Sequence, residues 1–200
     1  VGGFDFVLKN VFVQDVLYGV NILLLLVLLG LLLRRFKVLP LPLIFLLLVA
    51  VGLHCVYTYN TNYITRTYDI DGHVEYVKYV AENYAVPQND QCWSCYHPPV
   101  YYAMGALAWN IAPKLGLVET RALQWLSFAL SIAFMIVGAK ILVLLLKGPP
   151  LMLSSLLWFF WPLLFMVSPR IGNDQLFFVT HTRCLWGCFK YIVEKESRYM

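Results

Sequence analysis

Residues 38–57 read VLPLPLIFLLLVAVGLHCVY, twenty consecutive positions without a charge. At about 1.5 Å per residue, a helix of that length covers a hydrocarbon core ~30 Å thick. Pro40 and Pro42 stand at its start, where a missing backbone donor costs least. Just upstream, Val16 to Leu33 is a second uncharged, leucine-rich run that stops at Arg34-Arg35-Phe36-Lys37. Together the two runs predict a helical hairpin around a short basic turn. Basic residues in short loops mark the cytoplasmic side, so the turn is expected inside and the chain emerges outside near Tyr57.

The composition agrees with that start. The 200 residues are 60% hydrophobic and 13% charged, with a mean hydropathy of +0.70, whereas soluble domains are nearer half apolar and a quarter charged. A cytosolic enzyme, a secreted disulfide scaffold and a disordered tail are thereby excluded. The net charge of +4 comes from basic residues at the ends of apolar runs. No basic stripe with interleaved aromatics is present, so a nucleic-acid partner is not expected.

Further along, Val100 to Ala112 is apolar but short, and Pro113 ends it. Ala122 to Leu146 is interrupted only by Lys140, and Gly148 to Pro169 is again uncharged. Leu176 to Val193 carries His181 and Arg183 and reads as a fifth span facing protein. The expected fold is an all-α polytopic transmembrane helix bundle with a long extracytoplasmic loop carrying short interfacial helices. Its expected divisions are a hydrophobic segment with its basic turn (1–37), a membrane domain (38–193, with 58–98 as the first external loop) and a polar tail (194–200). The start at Val1 without Met and the end after Glu194-Lys195-Glu196-Ser197-Arg198 suggest a fragment. The basic residues after the first run argue against a cleaved signal peptide.

Thr58 to Pro98 is the one long polar stretch, and a loop of this length is usually functional. It holds Asp69, Asp71, Glu75, Glu82 and Asp90 against Arg66 and Lys78. Asp71 to Ala85 is expected to be a short helix, with Val74, Val77 and Tyr84 as an apolar stripe on the bilayer surface. Carboxylates beside a membrane can act as bases or hold a cation; Asp69 and Asp71 could equally cap the helix that follows. Cys92 and Cys95 fit a disulfide or two thiols better than zinc, since a second pair is absent. Cys55, Cys184 and Cys188 read as packing residues, and His54 and His181 as hydrogen-bonded bundle residues.

Three polar knots stand in order: Asp69-Ile70-Asp71-Gly72-His73 with Tyr76 and Tyr79 beyond, then His97-Pro98-Pro99-Val100-Tyr101-Tyr102, then Arg170-Ile171-Gly172-Asn173-Asp174. Over roughly Val38 to Lys190 this series resembles the amino-terminal part of the GT-C glycosyltransferase superfamily. It is most similar to the branch of protein O-mannosyltransferases and lipid A aminoarabinose transferases. Enzymes of that branch are typically much longer, and the later spans that complete their lipid groove have no counterpart in this sequence.

The resemblance implies transfer of a sugar from a polyprenyl-phosphate donor to an acceptor on the extracytoplasmic face, with inversion. It makes Asp69 the base, with Asp71 as competitor, and Asp174 the second acidic position. His97 and Arg170 would lie near the carrier phosphate, and His73, Asn173 and Tyr101 join them as binding candidates. Metal-independent and divalent-ion-dependent branches both exist in the superfamily, so a divalent cation stays open as a cofactor, with no metal ligand assigned. The expected partners are the polyprenyl-phosphate donor and membrane lipid; sugar and acceptor are not specified. The expected location is the plasma membrane of a prokaryote. A common site requires Asp69, His97 and Asp174 on one face, which predicts that Val100 to Ala112 is re-entrant or interfacial. The competing readings are a non-enzymatic transporter piece or subunit, and an inactive fragment of the transferase.

Overall fold

The structure is a computed structural model in which residues 2–65 and 69–196 are described; for residues 2–15, Leu17 and Glu196 the description covers the backbone alone. Arg66 and Tyr68 of the external loop, and 197–200 of the polar tail, lie outside the described residues.

Among the described residues every regular element is a helix: α1 (Gly2–Arg35), α2 (Leu41–Asn60), α3 (Ile70–Asn83), α4 (Val100–Ile111) with a short 3-10 helix (Ala112–Leu115) directly after it, α5 (Glu119–Leu145), α6 (Gly148–Phe159), α7 (Pro162–Val167) and α8 (Asp174–Glu196). Four segments are long and apolar enough to cross a membrane: Tyr18–Arg35, Leu41–Asn60, Glu119–Leu145 and Gly148–Val167. Many of their large side chains face outward. Leu23, Leu24 and Leu25 on α1 are 61–63% exposed, an arrangement suited to hydrocarbon and costly in water. The α1–α2 hairpin turns through Lys37 at φ 48°, and α1 packs on α2.

Two cores divide the molecule. The first joins Leu43, Leu47 and Ala50 of α2 to Met135 and Ala139 of α5 and Phe159 of α6. Gly138 lets α6 approach: a Cβ there would collide with the Trp158 ring, whose Nε1–H donates to Met135 O at 3.1 Å. The second core lies beside the long loop and gathers Tyr76 and Val77 of α3, Tyr101 and Tyr102 of α4, Leu123 of α5 and Ile171.

Several expectations are corrected here. The buried face of α3 is Ile70, His73, Tyr76, Val77 and Ala81, and it packs on α4. Tyr84 is not part of that stripe: it is 85% exposed and ends the helix in the left-handed region at φ 53°. The 148–169 run is two helices broken at Trp161-Pro162, because Pro162 cannot donate into the preceding turn. α8 is one helix packed along α5, though it is not among the four segments apolar enough to cross. On it, His181 is exposed and stacks on Phe177 with ring centroids 5.6 Å apart. Cys184 and Cys188 are exposed as well, while Cys55 is buried. α4 has 12 residues, a rise of ~18 Å, shorter than a ~30 Å hydrocarbon core.

Arg121, at the start of α5, ties the upper end of the bundle together. Its Nη1 donates to Thr58 O at 3.3 Å, Thr61 O at 2.9 Å and Gln124 Oε1 at 2.9 Å. Gln124 Nε2 adds a bond to Thr61 O at 3.1 Å. The carbonyls at the C-terminus of α2 are thus satisfied by a cation, which also matches the helix dipole. The point where the chain leaves α2 for the long loop is fixed in this way.

Candidate functional site

The site is assembled from three chain segments: the start of α3, the turn leading into α4, and the turn between α7 and α8. Each segment is held by its own local chemistry. Gly72 in the first turn of α3 has no room for a side chain, since a Cβ would stand 2.5 Å from Ser94 Oγ. Ser94 belongs to the turn closed by the Cys92–Cys95 disulfide, and His97 N–H donates to Ser94 O at 3.1 Å. The disulfide turn therefore delivers His97 to the first turn of α3. The His73 and His97 rings stack 5.4 Å apart at 26°.

Tyr101 and Tyr102 are both buried although they are neighbours on one helix. Adjacent helical positions point about 100° apart, so α4 must be covered on two sides. Tyr102 faces α3, stacking on Tyr76 at 3.7 Å and bonding His73 Nδ1 through Oη at 2.7 Å. Tyr101 faces α5 and shares a hydrogen bond of 3.0 Å with Ser127 Oγ. Its Oη also accepts the Gly172 N–H at 3.1 Å, which pins the third segment.

That third segment is braced from below by α2. His54 Nδ1 lies 3.3 Å from Ser168 Oγ, and the His54 ring stacks on Phe165 at 3.6 Å. Past this brace the backbone runs beside His73: a Cβ on Gly172 would be in ordinary van der Waals contact, 3.5 Å from His73 Nε2. Asn173 Nδ2 reaches to 3.5 Å from His97 Nδ1. Asp174 is exposed and opens α8, where an acidic residue also suits the helix dipole.

The electrostatics centre on His73. Burial lowers its pKa from 6.5 to about 4; His97 and Arg170 push it the same way, and Asp174 and Asp69 oppose them. The ring is neutral at neutral pH. Burial also raises Tyr102 well above the usual phenol range, so its hydroxyl keeps its proton. That proton is assigned as donated to His73 Nδ1, because the reverse assignment would orphan a buried phenol donor. Nε2 then carries the ring proton. Tyr101 is pushed up to about 12 by burial, against the lowering effect of its bonds to Ser127 and Gly172.

Of the candidates read from the sequence, Asp69, His73, His97, Arg170, Asn173 and Asp174 come together. Asp69 occupies the N-cap position of α3 but makes no side-chain capping bond, so its carboxylate is not spent on the helix. Among the described residues no ion pair ties Arg170 to Asp69 or Asp174. Two candidates are placed differently from these. Tyr101 is 1% exposed, and its hydroxyl is bonded to Ser127 Oγ and the Gly172 N–H. Asp71 is exposed and points some 200° around α3 from His73. It lines an outer depression of about 530 Å³ with Glu75, Lys78 and Glu82. It shares only a smaller hollow of about 290 Å³ with Asp69, Glu75 and Trp93.

An apolar groove of about 550 Å³ lies between α5, α6, α7 and α8, lined by Phe134, Leu157, Trp158, Leu164, Val167 and Phe178 among others. Val167 and Phe178 flank the Arg170–Asp174 turn in sequence. Among the described residues, no group of three or more His, Cys, Asp or Glu side chains is placed to hold a metal ion. Sequence reasoning missed Ser127, and it quoted Tyr102 and Gly72 within the polar knots without giving either a role; the doubled tyrosine of residues 101–102 was the available signal. No protein-family model, curated protein or solved structure matches the chain.

Proposed function

We propose that the protein is a multi-pass membrane glycosyltransferase that moves a sugar from a polyprenyl-phosphate donor to an acceptor hydroxyl on the extracytoplasmic face. The observation that carries this reading is the union of acidic and basic side chains around His73 in a chain that also has an apolar groove, lined in part by Val167 and Phe178 on either side of the Arg170–Asp174 turn in sequence. A polyprenyl-phosphate sugar has the complementary form: a hydrocarbon tail, an anionic phosphate and a polar sugar, in that order.

In this reading the tail enters the groove past Val167 and Phe178. Arg170 and His97 stand by the phosphate, and Asn173 helps to hold His97. The Asp69 carboxylate takes the proton of the acceptor hydroxyl, whose oxygen forms a bond to the anomeric carbon from the face opposite the phosphate. The anomeric carbon–phosphate oxygen bond breaks, and the carrier phosphate leaves with its extra negative charge beside Arg170. His73, neutral and donating from Nε2, offers a hydrogen bond without adding charge. Asp174 stands at the opposite rim, where it can accept a sugar hydroxyl. The loop 58–98 and the Arg170–Asp174 turn face outward in the plasma membrane of a prokaryote, and α4 enters the membrane without crossing it.

A transport role would call for ionisable groups at midplane. Between Ala122 and Leu146 the only charged residue is Lys140, and it lies over the Trp186 ring near the far end of α5. The charge distribution therefore favours the transferase reading. The test is transfer of radiolabelled sugar from a panel of polyprenyl-phosphate donors by membranes carrying the protein. Label appearing in an acceptor supports the proposal, and label remaining on the carrier with every donor overturns it.

A further inference from the structure

At the end of the α5–α8 pair remote from His73, three cations surround one indole. Lys140 Nζ lies 5.1 Å from the centroid of the Trp186 ring, Arg183 Cζ 4.2 Å and Lys190 Nζ 5.4 Å. A ring can attract each of them through its quadrupole, but it carries no net charge and leaves their mutual repulsion in place. The carboxylate at hand is Glu194, 3.5 Å from Lys190 and four residues along α8. Lys140 is on α5 and Arg183 two turns earlier on α8, and among the described residues the cluster keeps an excess of positive charge.

The depth of the cluster suggests what balances that charge. Lys140 is thirteen residues along α5 from Ser127, or ~20 Å deeper than the Tyr101–Ser127 bond. α5 ends five residues later at Leu145, so a lysine stem from position 140 reaches the polar boundary by snorkelling.

We propose that Lys140, Arg183 and Lys190, gathered around Trp186, bind the headgroup phosphate of an anionic phospholipid in the leaflet opposite the His73 site. The phosphate takes charge-assisted hydrogen bonds from Arg183 and the two ammonium groups. This inference does not depend on the transferase reading, because it concerns the other end of the bundle.

Native mass spectrometry of the purified protein, titrated with phosphatidylglycerol or phosphatidylcholine, tests it. The wild type should retain phosphatidylglycerol in preference to phosphatidylcholine. Lys140→Gln and Arg183→Gln should each weaken retention about fivefold, the effect of one cation near an anionic lipid. Lys190→Arg should retain the lipid, and Glu194→Gln, which removes the competing carboxylate, should bind it more tightly. Phosphatidylglycerol retention undiminished in Lys140→Gln, or no tighter in Glu194→Gln, overturns the proposal. Displacement of the lipid by excess inorganic phosphate also overturns it, since that would identify a site for free phosphate.

Discussion

His73 stays neutral in the folded protein down to about pH 4, whereas the unfolded chain takes up its proton near 6.5. Between those values the unfolded state binds more protons, so stability rises with pH across the window and is fully in place above 6.5. Thermal unfolding in detergent should show a midpoint that falls as pH drops from 6.5 to 4, and His73→Asn should flatten that slope. Tyr101 makes a second residue-scale prediction. Tyr101→Phe leaves the Gly172 amide without its acceptor and should cost about 1–3 kcal/mol, read as a lowered unfolding midpoint. Asp69, His97, Arg170 and Asp174 were legible because polar residues stand out in so apolar a chain. Tyr101 and Tyr102 were less so: their types suit an interfacial belt and a hydrogen-bonded core equally well, and only the packing of α4 between α3 and α5 distinguishes the two.

At the scale of elements, apolar runs predicted most helices because an uncharged stretch near twenty residues has few alternatives. The break in the 148–169 run was harder to see. Pro162 lies inside an unbroken apolar pattern, and hydropathy carries no information on backbone hydrogen bonding. The stripe on α3 was misassigned for a related reason. Its real inner face includes His73 and Tyr76, polar types whose burial depends on partners from α4. Arg121 shows the same dependence, since its bonds to Thr58 and Thr61 span some sixty residues of chain. Arg121→Ala should expose unsatisfied carbonyls at the end of α2 and destabilise the protein by roughly 1.5–3 kcal/mol. A calorimetric or fluorescence melt of the variant in detergent checks this.

For the whole molecule, the meeting of the three polar knots at one end bears on how the proposed transferase threads a bilayer. His97 and Asn173 are 3.5 Å apart, so in that proposal the path from α4 through α7 returns to the side where it began. α5 and the α6–α7 pair are each long enough for one crossing, and α4 is not. Single cysteines at Lys114 and Lys147, in a background with the exposed Cys184 and Cys188 replaced, should therefore label from opposite sides. Lys114→Cys should react with an impermeant maleimide on intact cells, and Lys147→Cys only after permeabilisation. The reverse pattern would contradict this threading. The sequence carried the number and order of the apolar runs; whether α4 crosses is what this labelling tests.

The central claim is that this cluster transfers sugar from a lipid-linked donor with Asp69 as the base. The most direct measurement compares wild-type protein and Asp69→Asn for transfer of labelled sugar from a polyprenyl-phosphate donor, with donor binding followed in parallel. The account predicts transfer reduced by roughly 10²–10⁴-fold while donor binding is kept, since Arg170 and His97 are untouched. Transfer at the wild-type rate in Asp69→Asn would contradict it.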